Sequence, residues 1–195
     1  SSDLTPPASL DGIILAAGIC EYVDAPQLDA ASFRRVMDVN FHGTVLSCNA
    51  ALPLLLAASA DPARKPKLIG VGSLSSVVGL PRAEAYGASK AAMHYFLDAL
   101  RCDIGHCIDI TVVLPGFVAT RLTATNDFPM PWLWSAGQAA DYIYKRLQSG
   151  RRVISFPWQL SWSLRLASWL PGLWYGVIVP KLRRTAPPVS PGVNP

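Results

Sequence analysis

The sequence predicts an α/β fold: a parallel sheet with helices layered on both faces. Residues 67–73 (Lys-Leu-Ile-Gly-Val-Gly-Ser) form a short apolar run ending in small residues and a hydroxyl, the profile of a strand buried on both faces. Residues 110–114 (Ile-Thr-Val-Val-Leu) are a β-branched run closed by Pro115 and Gly116, which reads as a second strand and its turn. Between them, residues 85–106 carry Ala88, Ala91, Ala92, Met93, Phe96, Leu97 and Leu100 at helical spacing. Strand, helix and strand in succession make a parallel crossover. Ligands of such sheets bind at the carboxyl ends of the strands, where Ser73 falls.

Length and composition bound the answer. A chain of 195 residues, 51% hydrophobic and 15% charged, can bury a sizeable core and is excluded from the disordered class. A globular or membrane-associated protein remains. The net charge of +4 is mild but unevenly spread. Cys20, Cys48, Cys102 and Cys107 have no CxxC spacing and sit in apolar segments, so they are expected to be buried free thiols in a reducing compartment. The first apolar run, 12–18, has no basic region ahead of it and does not read as a signal peptide. The expected location is cytoplasmic, with peripheral contact at the inner face of a membrane left open.

The elements follow in order. After a polar loop, 20–27, Asp29 or Ser32 can cap a helix whose apolar stripe is Leu28, Phe33, Val36 and Met37. Asn40 is a poor helix filler and is expected to interrupt the ladder. From Val45 to Leu56 the pattern is apolar nearly all round, as in a helix buried on several sides. Residues 59–67, with Asp61, Pro62, Arg64, Lys65 and Pro66, read as a surface loop. Beyond residue 120, an aromatic loop, 121–134, holds Phe128, Met130, Trp132, Leu133 and Trp134. Ser135 can cap a helix over 136–147, and 153–156 reads as the last strand.

Within this framework, Tyr86 and Lys90 stand four apart on one helix face. A free phenol titrates near pH ~10, so a tyrosine exchanging protons near neutrality needs a positive charge beside it, and Lys90 can be that charge. Ser73 lies thirteen residues before the tyrosine, and Thr120 follows Pro115, Gly116, Phe117 and Val118 in the loop after the second strand.

Asn40 in its Val-Asn-Phe-x-Gly context, Ser73, the Tyr86-Gly-Ala-Ser-Lys90 motif and Pro115-Gly116-Phe-Val-x-Thr120 occur in an order that resembles the short-chain dehydrogenase/reductase family over residues 11–156. The resemblance implies a Rossmann-like doubly wound sheet in three layers and an NAD- or NADP-dependent oxidoreductase. By the same resemblance, Tyr86 is the general acid/base, Lys90 tunes it and holds the nicotinamide ribose, Ser73 bonds the reacting oxygen and Asn40 holds a relay water. Ala17, Gly18, Tyr86, Lys90, Pro115, Gly116, Val118 and Thr120 would contact the cofactor. Ser73, Phe117 and Trp132 would contact substrate. The helices carrying Asn40 and Tyr86 would build a homodimer or homotetramer, and 121–134 would be a lid over a small apolar alcohol or ketone. These lid aromatics could equally pack on the body of the domain.

The resemblance fails at the start of the chain. No glycine-rich turn for the cofactor pyrophosphate is present. Residues 13–18 resemble the family's fourth strand with only Ala17 and Gly18 kept, and Asp3, Leu4 and Thr5 resemble the end of the third. The link between them is too short for a parallel crossover. The first βαβ units are therefore expected to be missing from this chain, the alternative being a natural short variant. NAD cannot be told from NADP, because the deciding strand is not visible.

We divide the chain into a partial catalytic domain, 1–156, an apolar arm, 157–184, and a disordered proline-rich tail, 185–195. The arm carries Trp158, Trp162, Trp169, Trp174 and Tyr175 with Arg165 in its middle, between Lys145, Arg146, Arg151, Arg152 and Lys181, Arg183, Arg184. Tryptophans and cations beside apolar residues suit a membrane interface, and Pro157, Pro171 and Pro180 leave pieces too short to span. Packing over the substrate pocket is the alternative. The scattered His42, His94 and His106 give no metal site, and no nucleic-acid module is recognisable. The reading that competes with an enzyme is a catalytically silent module attached to a membrane through residues 157–184.

Overall fold

The computed structural model describes residues 7–182 apart from positions 26 and 62. The expected strand end at Asp3, Leu4 and Thr5, the loop residue Pro62, the cations Arg183 and Arg184 and the tail 185–195 lie outside the described residues. Four parallel strands, β1 (Gly12–Leu15), β2 (Lys67–Val71), β3 (Asp109–Pro115) and β4 (Val153–Phe156), lie side by side in chain order. Ile13 stands opposite Leu68, Ile69 opposite Thr111, and Val113 opposite Ile154.

One face of the sheet packs on α2 (Gly43–Ala58) and α3 (Glu84–Ile104). Leu68, Ile110, Val112 and Leu114 meet Cys48, Ala51 and Leu55 of α2 and Met93 and Leu97 of α3. The other face packs on α4 (Ala136–Leu147), where Ile69, Val113 and Ile154 meet Ala139, Tyr142 and Ile143. This gives the three layers. On β1, Ile14 shares the second face with Ile69 but is 64% exposed, beyond the reach of α4. The close fit of α3 on β2 depends on Gly70: a Cβ there would lie 2.2 Å from Leu97 Cδ1 and 3.1 Å from Met93 Cε. Both side chains are fully buried and have nowhere to retreat.

Local chemistry sets the helix boundaries. Asp29 caps α1 (Ala30–Met37) by accepting from the Ala31 N–H at 2.9 Å. Ser135 and Gln138 form a reciprocal capping box at the start of α4, with bonds of 3.2 and 2.9 Å. Between α1 and α2, residues Asp38–His42 widen into a turn of π-helix centred on Asn40, which is the interruption that an amide in this apolar helix foreshadows. The continuous helix Ala30–Ala58 is long and apolar enough by length and composition to cross a membrane. One side of it lies in the core, while Leu46 and Leu56 face outward.

After β4 the chain forms α5 (Trp158–Trp169), α6 (Pro171–Leu173), a π-turn (Trp174–Ile178) and α7 (Val179–Leu182). Leu164, Ala167, Trp174 and Val179 join the main core. Pro171 separates α5 from α6 as expected, but Pro180 sits inside the last helical turn and does not end it. The cysteine expectation needs a second correction. Cys48 is buried, Cys20 and Cys107 are half-buried, and Cys102 is exposed, its thiol turned back to the Asp98 carbonyl on the solvent side of α3.

Replacing Gly70 with valine should lower the unfolding free energy by about 1–3 kcal/mol, the usual cost of overpacking a filled core. Urea denaturation followed by circular dichroism measures it, and an unchanged midpoint would mean that α3 does not rest on β2 this closely.

Candidate active site

The carboxyl ends of β2 and β3 open on a cavity of about 490 Å³. Ser73, two residues past β2, caps a short turn of 3-10 helix (Leu74–Ser76). Its Oγ accepts from the Ser75 N–H at 3.1 Å and from the Ser75 hydroxyl at 3.0 Å, so its own proton stays free for another oxygen. Tyr86, in the first turn of α3, brings its phenol beside Ser73 in the cavity wall. Pro115, Gly116 and Phe117, where β3 ends, line it from the other side.

Lys90 lies one turn below Tyr86 and is 4% exposed. Its Nζ stands 5.9 Å from the Tyr86 ring centroid and donates to the Val71 carbonyl at 2.9 Å. Gly18, just past β1, completes the cradle: a Cβ there would lie 3.1 Å from Lys90 Nζ and 3.3 Å from Asn40 Oδ1. An ammonium has three donors, and Val71 O takes one of them.

Asn40 is fully buried in the π-turn and ties three segments together. Its Oδ1 accepts from the Ile19 N–H at 2.8 Å, while Nδ2 donates at 2.9 Å both to the Ile19 carbonyl and to Ser89 Oγ. Ser89 in turn donates to the Tyr86 carbonyl at 2.8 Å. Both amide protons are thus taken within the protein. The Asn40 backbone carbonyl accepts from Thr44 at 2.9 Å. Asn40 therefore positions the start of α3 against the segment after β1.

Electrostatics follow burial. Desolvation pushes the Tyr86 phenol up to about 12, against the pull of the Ser73 hydroxyl, and desolvation brings Lys90 down to about 8. The depressed phenol that the tyrosine–lysine spacing suggests is thus not present: the Lys90 ammonium is turned to Val71, and the desolvation of Tyr86 outweighs what favours its charge. At neutral pH Tyr86 holds its proton.

The remaining expected contacts separate. Val118 pairs with Trp134 as an isolated bridge, and the Thr120 N–H is taken by Thr123 Oγ1 at 3.0 Å. Ala17 is exposed at the mouth of the segment after β1. Trp132, expected against the substrate, is not in the cavity wall: it has a φ of 54° and is 46% exposed, while the neighbouring Pro131 lines the wall. The lid aromatics divide between their two expected fates. Phe128 closes the cavity, and Trp134 stacks on Phe156 with ring centroids 5.0 Å apart.

Three residues in the wall carry no signal in the sequence. Cys20 and Tyr22, from the loop after β1, face Tyr86, and Tyr22 donates to Asn126 Oδ1 of the lid at 2.5 Å. Tyr22 also meets Phe128 edge-on and lies under the Arg82 guanidinium, 5.1 Å from its ring centroid. The lid is thus fastened to a loop 104 residues upstream. Burial raises the Cys20 thiol above its usual range.

Comparison with known proteins gives one consistent answer. A family model described as short chain dehydrogenase matches residues 6–128. An uncharacterized oxidoreductase of Myxococcus xanthus is 35% identical over 175 residues, covering 89% of this chain and 67% of that protein. The 11-beta-hydroxysteroid dehydrogenase-like 3 of Arabidopsis thaliana is 32% identical over 163 residues, 78% of this chain and 50% of the relative, so this chain spans half that relative's length. Among solved structures, a short chain dehydrogenase from Burkholderia cenocepacia, in complex with NADP, superposes with a TM-score of 0.66 at 22% identity, covering 88% of this chain and 66% of that one.

The buried lysine has a measurable consequence. Between pH 8 and 10.5 the unfolded chain holds the Lys90 proton and the folded chain does not, so stability rises with pH across this window. Relative to Lys90→Met, the wild type should gain roughly 3 kcal/mol of unfolding free energy across it, from about 1.36 kcal/mol per pH unit. Denaturant titrations at several pH values measure the difference, and parallel pH profiles would show that Lys90 is not buried as a cation.

Proposed function

The chain belongs to the short-chain dehydrogenase family, and we propose that it moves a hydride between a nicotinamide cofactor, NAD or NADP, and an apolar carbonyl or secondary alcohol. One observation carries this reading: the Tyr86 phenol and the Ser73 hydroxyl converge in a cavity whose other walls, from Leu74, Phe117, Phe128, Leu160 and Trp174, are apolar, with the Lys90 ammonium one helical turn behind. A pocket of this kind orients its ligand through a few polar anchors.

The cofactor fit rests on the Lys90 cradle. With one donor on Val71 O and the Gly18 face bare, the ammonium keeps two donors for the diol of a nicotinamide ribose. Gly116 and Pro115 bound the space for the ring, with Val118 and Thr120 beyond them on the same loop. When bound, the cofactor gives or takes the hydride. The residues manage the proton. In the reducing direction Tyr86 already holds the proton that the carbonyl oxygen needs, and Ser73 donates a hydrogen bond to the same oxygen, with the Lys90 ammonium 5.9 Å from the phenol ring centroid. Asn40, through Ser89, fixes the helix end that carries Tyr86.

The assembly reading is a homodimer through α2 and α3, on which Leu46 is 69% and Tyr95 79% exposed. The location that goes with this reading is the cytoplasm, with the arm 157–184 in peripheral contact with a membrane. The names of the plant relatives favour a steroid-like or other polycyclic apolar alcohol over a sugar, in keeping with the apolar wall.

Tyr86→Phe should lower turnover of an apolar ketone at least about 10²-fold, the contribution expected of a general acid, while leaving fold and cofactor affinity nearly unchanged. Steady-state reduction followed at the nicotinamide absorbance measures it. Activity equal to wild type would remove Tyr86 from the chemistry.

A further inference from the structure

The arm has two faces that do different things. Its inner face belongs to the body: Leu160, Leu164, Trp174 and Leu182 line the cavity. The Trp174 Nε1–H donates to the Gly79 carbonyl at 3.1 Å, and the Gly79 N–H donates to the Tyr175 hydroxyl at 3.1 Å. Both backbone groups of one loop residue are thus held by the arm, so the arm's orientation is fixed. Its outer face is then fixed outward. On α5, Trp158, Trp162, Leu166 and Trp169 are 68%, 60%, 55% and 73% exposed. Steps of four, four and three residues put them on one side of the helix.

A stripe of three exposed tryptophans, each offering about 150–250 Å² of ring surface, is more than a monomer leaves to water without reason. Its charge selects the occupant. No Asp or Glu follows Asp141 in the sequence, and Arg165 lies exposed between Trp162 and Trp169, with Lys181 at the far end of the arm. A second copy laid on this face would set those cations against their own counterparts. Anionic lipid headgroups complement them, and indole rings beside arginine are suited to the boundary between headgroups and acyl chains. A helix of twelve residues is about 18 Å long, well short of the ~30 Å hydrocarbon core, so it lies in the surface and does not cross it.

We propose that this face of α5 docks the protein on an anionic lipid surface and that the cavity opens onto the same surface, so that substrate enters from the bilayer. The second half rests on the functional reading above and narrows it to carbonyls or alcohols that partition into lipid. Leu182 carries the connection: it lines the cavity and is 54% exposed at the end of the arm. Leu122 in the lid likewise lines the cavity and is 40% exposed. An apolar ligand moving between these side chains leaves the membrane without crossing water.

The test uses the full chain with vesicles of phosphatidylcholine alone and with one third phosphatidylserine, and needs neither cofactor nor substrate. Co-flotation with the anionic vesicles is expected, weakening with salt. It should fall at least tenfold when Trp158, Trp162 and Trp169 are all replaced by serine, and should be unchanged in Tyr86→Phe, which separates docking from catalysis. Hydrogen exchange on the vesicles should slow in α5, α7 and the lid around Leu122, and not in α4. Flotation unaffected by the triple substitution, no flotation at all, or a self-association that the triple substitution abolishes would overturn the docking. Protection confined to α5, with the lid exchanging freely, would overturn the shared opening.

Discussion

A cation buried between α3 and the end of β2 is the constraint on which the rest of the site depends. The Lys90 ammonium is almost wholly removed from water and is bonded to the end of β2 through the Val71 carbonyl. Such a charge is costly, and burial accordingly depresses its pKa. The arrangement persists because its neighbours are built around it. Gly70 lets α3 lie close on β2, Gly18 leaves room above the ammonium, and Asn40 locks the chain after β1 to Ser89, one residue before the lysine. Tyr86 is then carried one turn further up the same helix, to the mouth of the cavity. The fold therefore delivers the phenol and the ammonium as one rigid unit. Neither can move without the other.

The polar centre and the apolar shell come from different parts of the chain. Ser73 stands two residues past β2, and Tyr86 and Lys90 stand on α3, the elements that pack into the main core through Leu68, Met93 and Leu97. The cavity wall comes from the loop after β1, the lid and the arm, each attached by a few specific contacts: Tyr22 to Asn126, Phe128 against Phe117, and Gly79 between Trp174 and Tyr175. Substitutions in the shell can thus change which ligand fits without disturbing the proton-holding groups. The arm goes further, since one helix closes the cavity with one side and presents tryptophans to the surroundings with the other.

Much of this was legible in the sequence because the governing signals are local. Ser135 with Gln138 three residues on marks the start of α4, the amide at Asn40 marks a break in an apolar helix, and the β-branched run before Pro115 marks β3. Ser73 and Tyr86 meet in the cavity wall, with Lys90 one turn behind and Asn40 bonded to Ser89 beside it. What could not be read depends on contacts between distant segments. Tyr22 sits in a polar loop without periodicity, and its partner Asn126 is 104 residues away. Pro131 lines the cavity while its neighbour Trp132, at a positive φ, does not, a difference that adjacent positions in a sequence do not reveal. The direction of the pKa shift at Tyr86 also escaped, since spacing shows which charges are near but not how much water has been excluded. Of the two readings of the arm, packing on the body is visible in Leu164, Ala167, Trp174 and Val179, which join the main core.

The central claim is that the Lys90 cradle receives the nicotinamide half of a cofactor. Fluorescence titration of this chain with NADPH, NADH and reduced nicotinamide mononucleotide tests it, run beside Lys90→Met and Gly18→Val. The account predicts saturable binding that includes the mononucleotide and weakens at least tenfold in both variants. Binding that is indifferent to both substitutions, or no binding of any of the three to the folded protein at millimolar concentration, would contradict it.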